Sequence, residues 1–323
     1  MNKILVTGAA GFIGSFLVKA LVKRKENITA LVRKTSDPKA VKELQGLGAN
    51  VVIGDLCDKE SLEKAVKGME AVIHCAAVHN ENYEDLKSNN VDGTKNLLDI
   101  CLKNNVKRFI HISSAVVFGK IKDGTEESKC NPESPYAKSK YEGELIVKEY
   151  IGKGIAATIL RPPIVYGPHP RANMIQWLRY IKKGHFMIFG NGTNNIEVVH
   201  VDDVAQGVIL ALNNKKSINQ TYIISSPTIT MNEFINLIAR IEGVKKPRHI
   251  PIWFANLLAI GFALLSKITK HKPPLTRIKI KNMTRDRSLS IRKAKEELGY
   301  EPKITVEEGL TGMIKWCTEK GYF

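Results

Sequence analysis

The chain has 323 residues, of which 43% are hydrophobic and 25% charged, and its formal net charge of +17 favours anionic partners such as nucleotides, nucleic acid or an acidic membrane surface. Five cysteines without C-x-x-C spacing argue against a disulfide framework and a zinc site, so we expect a reducing, cytoplasmic location. No basic and apolar leader precedes the first predicted strand, so we expect no signal peptide.

The first predicted strand, Lys3–Thr7, runs through a glycine-rich turn into an amphipathic helix. Gly8, Gly11 and Gly14 give the spacing G-x-x-G-x-x-G at this junction. The N-terminus of a helix directs free N–H groups and a positive dipole end at an anion. Gly8 permits the tight turn, Gly11 the approach of a pyrophosphate, and Gly14 close packing of helix on strand. The turn therefore predicts a dinucleotide site, and the alternative is an ordinary glycine-rich turn.

Further predicted strands alternate with helical patterns along the first half of the chain. Such alternation predicts crossover units and a doubly wound parallel α/β sheet. Ligands of these sheets bind beyond the carboxyl ends of the strands, so the residues that follow each strand are the informative ones. The predicted strands are 28–32, 50–53, 71–75, 108–112 and 157–160, and the predicted helices between them are 39–47, 59–67, 83–103 and 136–150.

The ends of the next three strands predict which dinucleotide binds. Arg33 stands where a carboxylate would hydrogen-bond the adenosine ribose of NAD, and a guanidinium there would pair with a 2′-phosphate, which favours NADP over NAD. The alternative for Arg33 is a solvated basic loop. Asp55, beside Leu56, could accept a hydrogen bond from adenine or cap the helix that starts near residue 59. The small residues Ala76 and Ala77 leave room for the cofactor.

Three residues further along predict a catalytic group. Tyr136 and Lys140 are four residues apart on a predicted helix, so they share one face. An adjacent ammonium favours the phenolate and lowers the pKa of a tyrosine from about 10, which makes it a usable general acid or base. Ser114 follows the fifth strand, where its hydroxyl can hydrogen-bond a substrate oxygen while a nicotinamide exchanges hydride with the substrate. Taken alone, Tyr-x-x-x-Lys is more typical of a surface pair, but the predicted dinucleotide fold favours catalysis.

The chain resembles the extended short-chain dehydrogenase/reductases, the group that includes the NAD-dependent epimerase/dehydratases. The resemblance implies a Rossmann domain of residues 1–165 and 197–225 and a smaller substrate lobe of residues 166–196 and 226–323. It also implies homodimers through a four-helix bundle that includes the Tyr136 helix. The matching segments, in family order, are TGAAGFIG (7–14), GDL (54–56), HCAA (74–77), NVDGT (90–94), SSAVVFG (113–119), YAKSK (136–140), RPPIVYGP (161–168) and HVDDVA (200–205).

The resemblance also implies roles for individual residues. Ser114, Tyr136 and Lys140 would be the catalytic triad of an NAD(P)-dependent oxidoreductase that transfers a hydride between the nicotinamide and an alcohol or ketone. One alternative is a nucleotide-sugar epimerase or dehydratase that oxidises its substrate only transiently, and another is a cofactor-binding regulator without catalysis. The implied cofactor-binding residues are Gly8, Gly11, Phe12, Ile13, Gly14, Arg33, Asp55, Leu56, Ala76, Ala77, Asn90, Tyr136, Lys140, Pro163 and Ile164.

Three apolar residues favour a particular branch of this family. Nucleotide-sugar epimerases usually carry asparagine at the position of Ile164, often arginine at that of Ile196, and tyrosine at that of Phe118. The pattern here is more similar to the 3β-hydroxysteroid dehydrogenases and dihydroflavonol reductases, which act on less polar substrates. We therefore expect a small-molecule substrate of low polarity.

The C-terminal part gives weaker signals. Its predicted helices are 172–182, 202–212, 231–241, 293–298 and 306–315, and its predicted strands are 196–199 and 221–224. We expect no metal site, because the histidines lack helical ligand spacing. For each candidate pocket residue the alternative is a core or surface position, and the candidates are His79, Phe118, His169, Arg171, Trp177 and His185.

Residues 250–265 are almost entirely apolar, with Asn256 as the one strongly polar residue. A spanning helix needs about 20 residues, so this segment is too short to cross a membrane. It is predicted either as a buried helix that walls an apolar pocket or as a helix lying in a membrane interface. Residues 245–287 carry eleven Lys or Arg and one acid, 11 − 1 = +10, so they would make the peripheral membrane contact. No specific nucleic-acid binding is expected, because no motif for it is present.

Overall fold

The computed structural model describes residues 3–170, 172–269, 273 and 275–323. In chain order its strands are β1 (Lys3–Thr7), β2 (Asn27–Val32), β3 (Asn50–Ile53), β4 (Ala71–His74), β5 (Arg108–Ile112), β6 (Ala157–Arg161), β7 (Ile164–Tyr166), β8 (Met187–Phe189), β9 (Asn195–Ile196), β10 (Val198–His200), β11 (Thr221–Ile223), β12 (Ile229–Thr230) and β13 (Arg248–Ile250). Seven of them form one sheet in the order β11-β6-β5-β4-β1-β2-β3, in which every neighbouring pair is parallel. The predicted doubly wound parallel sheet is confirmed.

Helices cover both faces of this sheet. In chain order they are α1 (Phe12–Lys23), α2 (Pro38–Gly46), α3 (Lys59–Val66), α4 (Tyr83–Leu86), α5 (Gly93–Lys103), α6 (Pro135–Gly152), α7 (Ala172–Lys182), α8 (Val201–Asn213), α9 (Met231–Ile241), α10 (Ile252–Thr269), α11 (Arg277–Met283), α12 (Arg292–Leu298) and α13 (Val306–Glu319). Burial on both faces explains why the central strands are continuous apolar runs rather than alternating ones.

Alternate residues of β1 belong to two different cores. Ile4 and Val6 point into the core formed with α1 and α8, where Leu17 and Val208 are also buried. Leu5 points into the opposite core, formed with α3, α5 and α6. This alternation follows from the two-residue period of a strand. The helix that follows the glycine turn therefore packs against α8, almost two hundred residues further along the chain.

A buried ion pair joins α6 to the sheet. Arg161, the last residue of β6, donates from Nε and Nη2 to the Glu144 carboxylate of α6 over 2.9 and 2.7 Å. Ser113, directly after β5, donates to the same carboxylate. The Arg161 guanidinium also lies over the Phe118 ring, 4.7 Å from its centroid. These contacts fix α6 against the carboxyl ends of β5 and β6.

The helix predicted over residues 83–103 is interrupted. Residues Lys87–Asp92 form a π-helical segment between α4 and α5, which turns the Asn90 side chain inward. The start of α5 packs very closely on the turn after β3, since a Cβ on Gly93 would lie 2.7 Å from the Leu56 Cβ. A uniform helical pattern could not reveal this local change of pitch.

The remaining elements build the C-terminal part. Helices α7, α9 and α13 enclose a separate core that includes Leu178, Phe234 and Met313. The strand predicted over 196–199 is two strands, β9 and β10, separated at Glu197. The buried Glu197 carboxylate accepts hydrogen bonds from Ser225, Thr228 and the backbone N–H of residue 289. Because these bonds hold its side chain, the backbone departs from a regular strand at Glu197. The short strands β7, β8, β12 and β13 and helix α11 were not predicted.

The expectation that residues 250–265 form a buried helix is wrong. The helix is present as α10, but only Ala255 and Ala259 among its described side chains are fully buried. Trp253, Leu257 and Leu264 are more than half exposed. None of the helices in the described ranges has the length and hydropathy that crossing a membrane requires.

Candidate active site

The glycine turn is shaped so that only glycine fits at two of its positions. Gly8 has a φ of +66°, and a Cβ on it would lie 2.7 Å from the backbone of Ala76. A Cβ on Gly14 would overlap the carbonyl oxygen of Gly8. Gly11 caps α1 without a side chain, and the first turn of the helix carries no acidic residue. The N-terminus of α1 is therefore open and positive, as an anion site requires.

A cleft of about 340 Å³ lies in front of this turn, at the carboxyl ends of β1 to β4. Its position is the one expected for the ligand of a doubly wound sheet. Most of the residues predicted for the adenosine end of a dinucleotide line it. The lining residues are Thr7, Gly8, Ala10, Gly11, Leu31, Val32, Arg33, Thr35, Ser36, Asp37, Gly54, Asp55, Leu56, Cys75, Ala76, Ala77, Val78 and Asn89.

Arg33 and Asp55 both face this cleft. Arg33 is exposed at the end of β2, and its backbone N–H donates to Ser36 Oγ over 3.0 Å, which curls the loop around the cleft. Asp55 Oδ1 accepts from the backbone N–H of Cys57 at 2.9 Å. The alternative that Asp55 caps α3 is wrong, because Asp58 is the capping residue. Asp55 therefore lines the cleft instead of capping α3.

Ser114, Tyr136 and Lys140 lie at the neighbouring strand end. Ser114 follows β5, is largely buried, and its Oγ is 3.4 Å from the carbonyl oxygen of Pro162. Tyr136 is in the first turn of α6. Ser134 caps the N-terminus of this helix, because its Oγ accepts a hydrogen bond from the Ala137 N–H at 3.1 Å. Lys140 is one turn further on and is buried, with Nζ donating to the carbonyl of residue 112 at 2.8 Å. The helix thus carries the phenol and the ammonium on one face, beside the end of β5.

Two neutral histidines lie beneath this group. His74 is held between Thr7 and Thr94, with Nδ1 and Nε2 at 2.7 and 3.0 Å from their hydroxyl oxygens. Burial, together with the nearby charge of Lys140, lowers the pKa of His74 to about 3. His111, whose ring centroid is 5.3 Å from that of His74, has its pKa lowered well below the usual value for the same reasons. Lys140 therefore lies beside imidazoles that stay neutral near pH 7.

Asn90 is tied into the protein framework. Its Oδ1 accepts from the Val78 N–H at 2.8 Å, and its Nδ2 donates to the Val78 carbonyl and to Ser139 Oγ, each at 3.0 Å. These bonds hold the loop after β4 against α6, next to Tyr136. Asn90 thus lies close to the helix that carries Tyr136, and its role at an active site and its direct contact with a cofactor stay predictions. The partnership with Ser139 left no sequence signal, because it depends on the π-helical segment.

The apolar residues that favoured a low-polarity substrate lie in different surroundings. Ile164, the first residue of β7, is 43% exposed, and Pro163, which precedes it, is buried. Ile196 is buried in the core of the C-terminal part, where β9 pairs with β12. Phe118 is buried under Arg161, so the structure places it in packing rather than at the cleft.

Of the other candidate residues, His79 contacts Tyr136. Its ring lies against that of Tyr136, with the centroids 4.3 Å apart. His169 packs on Trp316, and Trp177 packs on Phe186 in the core of the C-terminal part. His185 is exposed, and position 171 lies outside the described residues. Within the described ranges, no group of His, Cys, Asp and Glu is arranged to hold a metal ion.

Arg287 is a residue that the sequence analysis missed. Its backbone N–H donates to the carbonyl of Asn195 at 3.1 Å, which places it beside Ile196. Its Nε is buried and has no hydrogen-bond partner among the described residues. Burial, together with the nearby charge of Arg285, lowers the pKa of the guanidinium to about 10. A long-range contact of this kind leaves no trace in local spacing.

Comparison with known proteins gives one consistent family. The model of the NAD dependent epimerase/dehydratase family matches residues 4–225. The N-acetyl-alpha-D-glucosaminyl-diphospho-ditrans,octacis-undecaprenol 4-epimerase of Escherichia coli O157:H7 is 28% identical, over 98% of this chain and 95% of its own. A decarboxylating sterol-4-alpha-carboxylate 3-dehydrogenase of Schizosaccharomyces pombe is 29% identical over 99% of both chains. The crystal structure of UDP-glucuronic acid 4-epimerase from Bacillus cereus with NAD superposes with a TM-score of 0.80 at 26% identity, covering 98% of this chain and 99% of that one.

The buried histidines predict how stability depends on pH. The folded pKa of His74 lies below the unfolded value of about 6.5, so the unfolded chain binds more protons between these values and the free energy of unfolding falls as pH drops below 6.5. Each such histidine contributes a slope of up to about 1.4 kcal/mol per pH unit. In urea denaturation between pH 7 and pH 5, His74→Gln should reduce the slope by about one proton, whereas the exposed His185→Gln should not. Equal slopes for both variants and the wild type would contradict the assignment.

Proposed function

The chain belongs to the NAD-dependent epimerase/dehydratase family and is an enzyme of the extended short-chain dehydrogenase/reductase type, and we propose that it transfers a hydride between NADP and an alcohol or ketone of low polarity. The observation that carries this proposal is the position of the Tyr136 and Lys140 pair. It lies beside Ser114, at the carboxyl end of β5, in the same sheet edge as the glycine turn.

The residues present fit a dinucleotide. The glycine turn has no room for a Cβ at Gly8 or Gly14, which is the cradle that a pyrophosphate needs. We propose that the turn holds the phosphates, Asp55 and Leu56 the adenine, and Lys140 the nicotinamide ribose. The other cofactor-binding residues named from the resemblance remain part of this proposal. When bound, the nicotinamide supplies the acceptor or donor of the hydride.

The chemistry of the chain itself is a proton transfer at the Tyr136 hydroxyl oxygen. In the oxidative direction, the phenolate takes the proton of the substrate hydroxyl, and in reduction the phenol returns it. The buried Lys140 ammonium stabilises negative charge on that oxygen, because little water is present to screen it. Ser114 Oγ donates a hydrogen bond to the substrate oxygen and holds it near the phenol.

The preference for NADP is proposed from Arg33. This guanidinium lines the cleft together with Thr35 and Ser36, whose hydroxyl groups are further donors for a 2′-phosphate. A carboxylate, Asp37, also lines the cleft, but its Oδ1 accepts from the Lys39 N–H at the start of α2. The charge that the adenosine end of a cofactor would meet at this rim of the cleft therefore comes mainly from Arg33.

Three coarser features complete the proposal. We propose that residues 1–165 and 197–225 bind the cofactor and that residues 166–196 and 226–323 bind the substrate. We propose a homodimer through α6, where Leu145 is exposed on the outer side of the catalytic helix. We also propose peripheral membrane contact through residues 245–287.

A second candidate is a nucleotide-sugar epimerase or dehydratase, and Arg287 is the observation that favours it. A mostly buried guanidinium whose Nε lacks a partner suits an anionic group of a ligand. It lies beside Ile196, the position where epimerases often carry the arginine that holds a diphosphate. In such an enzyme the hydride would return to the same substrate.

Replacing the proposed acid/base tests the main proposal. Tyr136→Phe should lower kcat by about 10²- to 10⁴-fold, because the proton transfer loses its donor and acceptor. The rate would be followed as NADPH absorbance with a substrate found by screening sterols, flavonoids and nucleotide-sugars. Tyr141→Phe, on the same helix, is the matched control and should keep its rate. A Tyr136→Phe enzyme with full turnover would remove the assignment.

Reversing the charge at the rim tests the cofactor preference. Arg33→Asp should weaken NADP binding by about ten- to hundredfold, the value of one charge-assisted pair, and should leave NAD binding nearly unchanged. Lys34→Asp makes the same change of charge one residue along, outside the cleft lining, and should affect NADP far less. Titrations of both cofactors by calorimetry give the comparison. Equal losses for the two cofactors would show that Arg33 does not contact the phosphate.

The fate of the cofactor separates the two candidate functions. The main proposal predicts net consumption of NADPH and free exchange of the dinucleotide. The second candidate predicts that nicotinamide dinucleotide copurifies, does not exchange with labelled cofactor, and returns to its starting redox state after each turnover. Absorbance of the purified protein near the reduced nicotinamide band and an exchange assay distinguish these outcomes.

A further inference from the structure

Helix α10 turns its large apolar side chains outward. Trp253, Leu257 and Leu264 are four and seven residues apart, so they lie on one face, where they are 70%, 56% and 59% exposed. The opposite face packs on the protein through the small residues Ala255 and Ala259. A helix that covers a core places its large residues inward. The reversed arrangement indicates a surface made for an apolar environment outside the chain.

The short helix α11 extends this surface. Its Ile280 is buried against the alanines of α10, whereas its Ile278 is 72% exposed. We call the exposed residues of these two helices, Ile252, Trp253, Phe254, Leu257, Ile260, Leu264, Leu265 and Ile278, the α10–α11 face. So many large apolar side chains in one contiguous segment are more than a monomeric protein usually exposes.

Basic residues flank the α10–α11 face, and acids are absent from the same stretch of sequence. Lys245, Lys246 and Arg248 are exposed before α10, and Arg277 and Lys281 are exposed on α11. The first acid after residue 245 is Asp286. A second copy of the chain would bring two strongly positive segments together, which electrostatic repulsion opposes. Anionic lipid headgroups beside an acyl interior match both the charge and the apolar face.

The α10–α11 face is joined to the catalytic region. Lys281 Nζ and Arg285 Nη2 are 2.8 and 2.7 Å from the Glu133 carboxylate. Glu133 precedes Tyr136 by three residues, just before the cap of α6. A membrane that binds α11 would therefore lie near Glu133, in the loop that leads into the Tyr136 helix.

We propose that the α10–α11 face lies in the interface of an anionic bilayer, with α10 parallel to the membrane plane. No helix in the described ranges is long and apolar enough to cross, so the apolar side of α10 sits at the level where headgroups meet acyl chains while the flanking lysines and arginines contact anionic headgroups. Bound in this way, the enzyme takes a low-polarity substrate from lipid rather than from water. This last consequence rests on the proposed oxidoreductase function, whereas the docking does not.

The test uses the full chain and vesicles of phosphatidylcholine with or without phosphatidylglycerol. The protein should cosediment with the anionic vesicles at low salt and much less with pure phosphatidylcholine. Binding should weaken as salt is raised, because salt screens charges beyond a Debye length of about 10 Å at 0.1 M. Trp253 supplies an internal probe, since its fluorescence should shift to the blue when the indole enters the acyl boundary. Trp253→Phe should bind and lose most of that shift.

A paired substitution tests the face itself. Leu257→Asp with Leu264→Asp should lower the bound fraction by at least about tenfold, because two carboxylates would replace apolar contacts and face anionic headgroups. Leu102→Asp, at an exposed leucine of α5, is the matched control and should bind as the wild type does. Circular dichroism and NADP binding check that all variants are folded. If the paired variant does not fold, Lys245→Glu with Lys246→Glu, at two exposed positions outside the helices, should lower anionic-vesicle binding instead.

Each outcome bears on one claim. Failure of the wild type to bind anionic vesicles at low salt overturns the proposal, as does full binding by a folded paired variant. Self-association that the paired variant abolishes, without vesicle binding, also overturns it and assigns the face to a second copy. Vesicle binding in a protein that shows no NADP turnover leaves the docking in place and removes only the proposed oxidoreductase function.

Discussion

The buried pair of Glu144 and Arg161 determines where α6, the helix that carries Tyr136 and Lys140, lies. Two charges out of water are tolerated only when each satisfies the other, so neither α6 nor the end of β6 can shift without leaving an ion unpaired. Glu144 is one helical turn after Lys140, and its carboxylate also accepts from Ser113, the neighbour of Ser114. One interaction therefore sets the register between the helix that carries the phenol and the strand end that carries the serine.

Charge is distributed in the site so that a single cation dominates. The charge of Lys140 acts on two histidines and a thiol, and burial keeps these groups neutral: the pKa of His74 is lowered to about 3 and that of the Cys75 thiol is raised to about 12. The glycine turn adds a positive helix end at the other side of the cleft. An anionic cofactor and a developing oxyanion would thus meet two separate positive regions, one for binding and one for chemistry.

What could be predicted from the sequence was what local pattern determines. The parallel sheet, the glycine turn and the helix that carries Tyr136 and Lys140 depend on spacing within one or two elements, and spacing is visible in the chain. The role of Asp55 was open between an adenine contact and a cap of α3, because only the turn geometry shows that Asp58 is the capping residue. The π-helical segment around Asn90, the isolated Nε of Arg287 and the outward face of α10 each depend on contacts between distant parts of the chain. Hydropathy indicated that α10 is apolar, but not which way it faces.

The packing of α1 on α8 has a consequence for how the protein is made. Leu17, Val18 and Leu21 of α1 find their cover in a helix that the ribosome produces almost two hundred residues later. A nascent chain that has completed β1 to β6 would still expose this apolar stripe, directly behind the glycine turn. The first helix to be synthesised is thus among the last to be covered, and translation must run past residue 213 before the core around α1 can close.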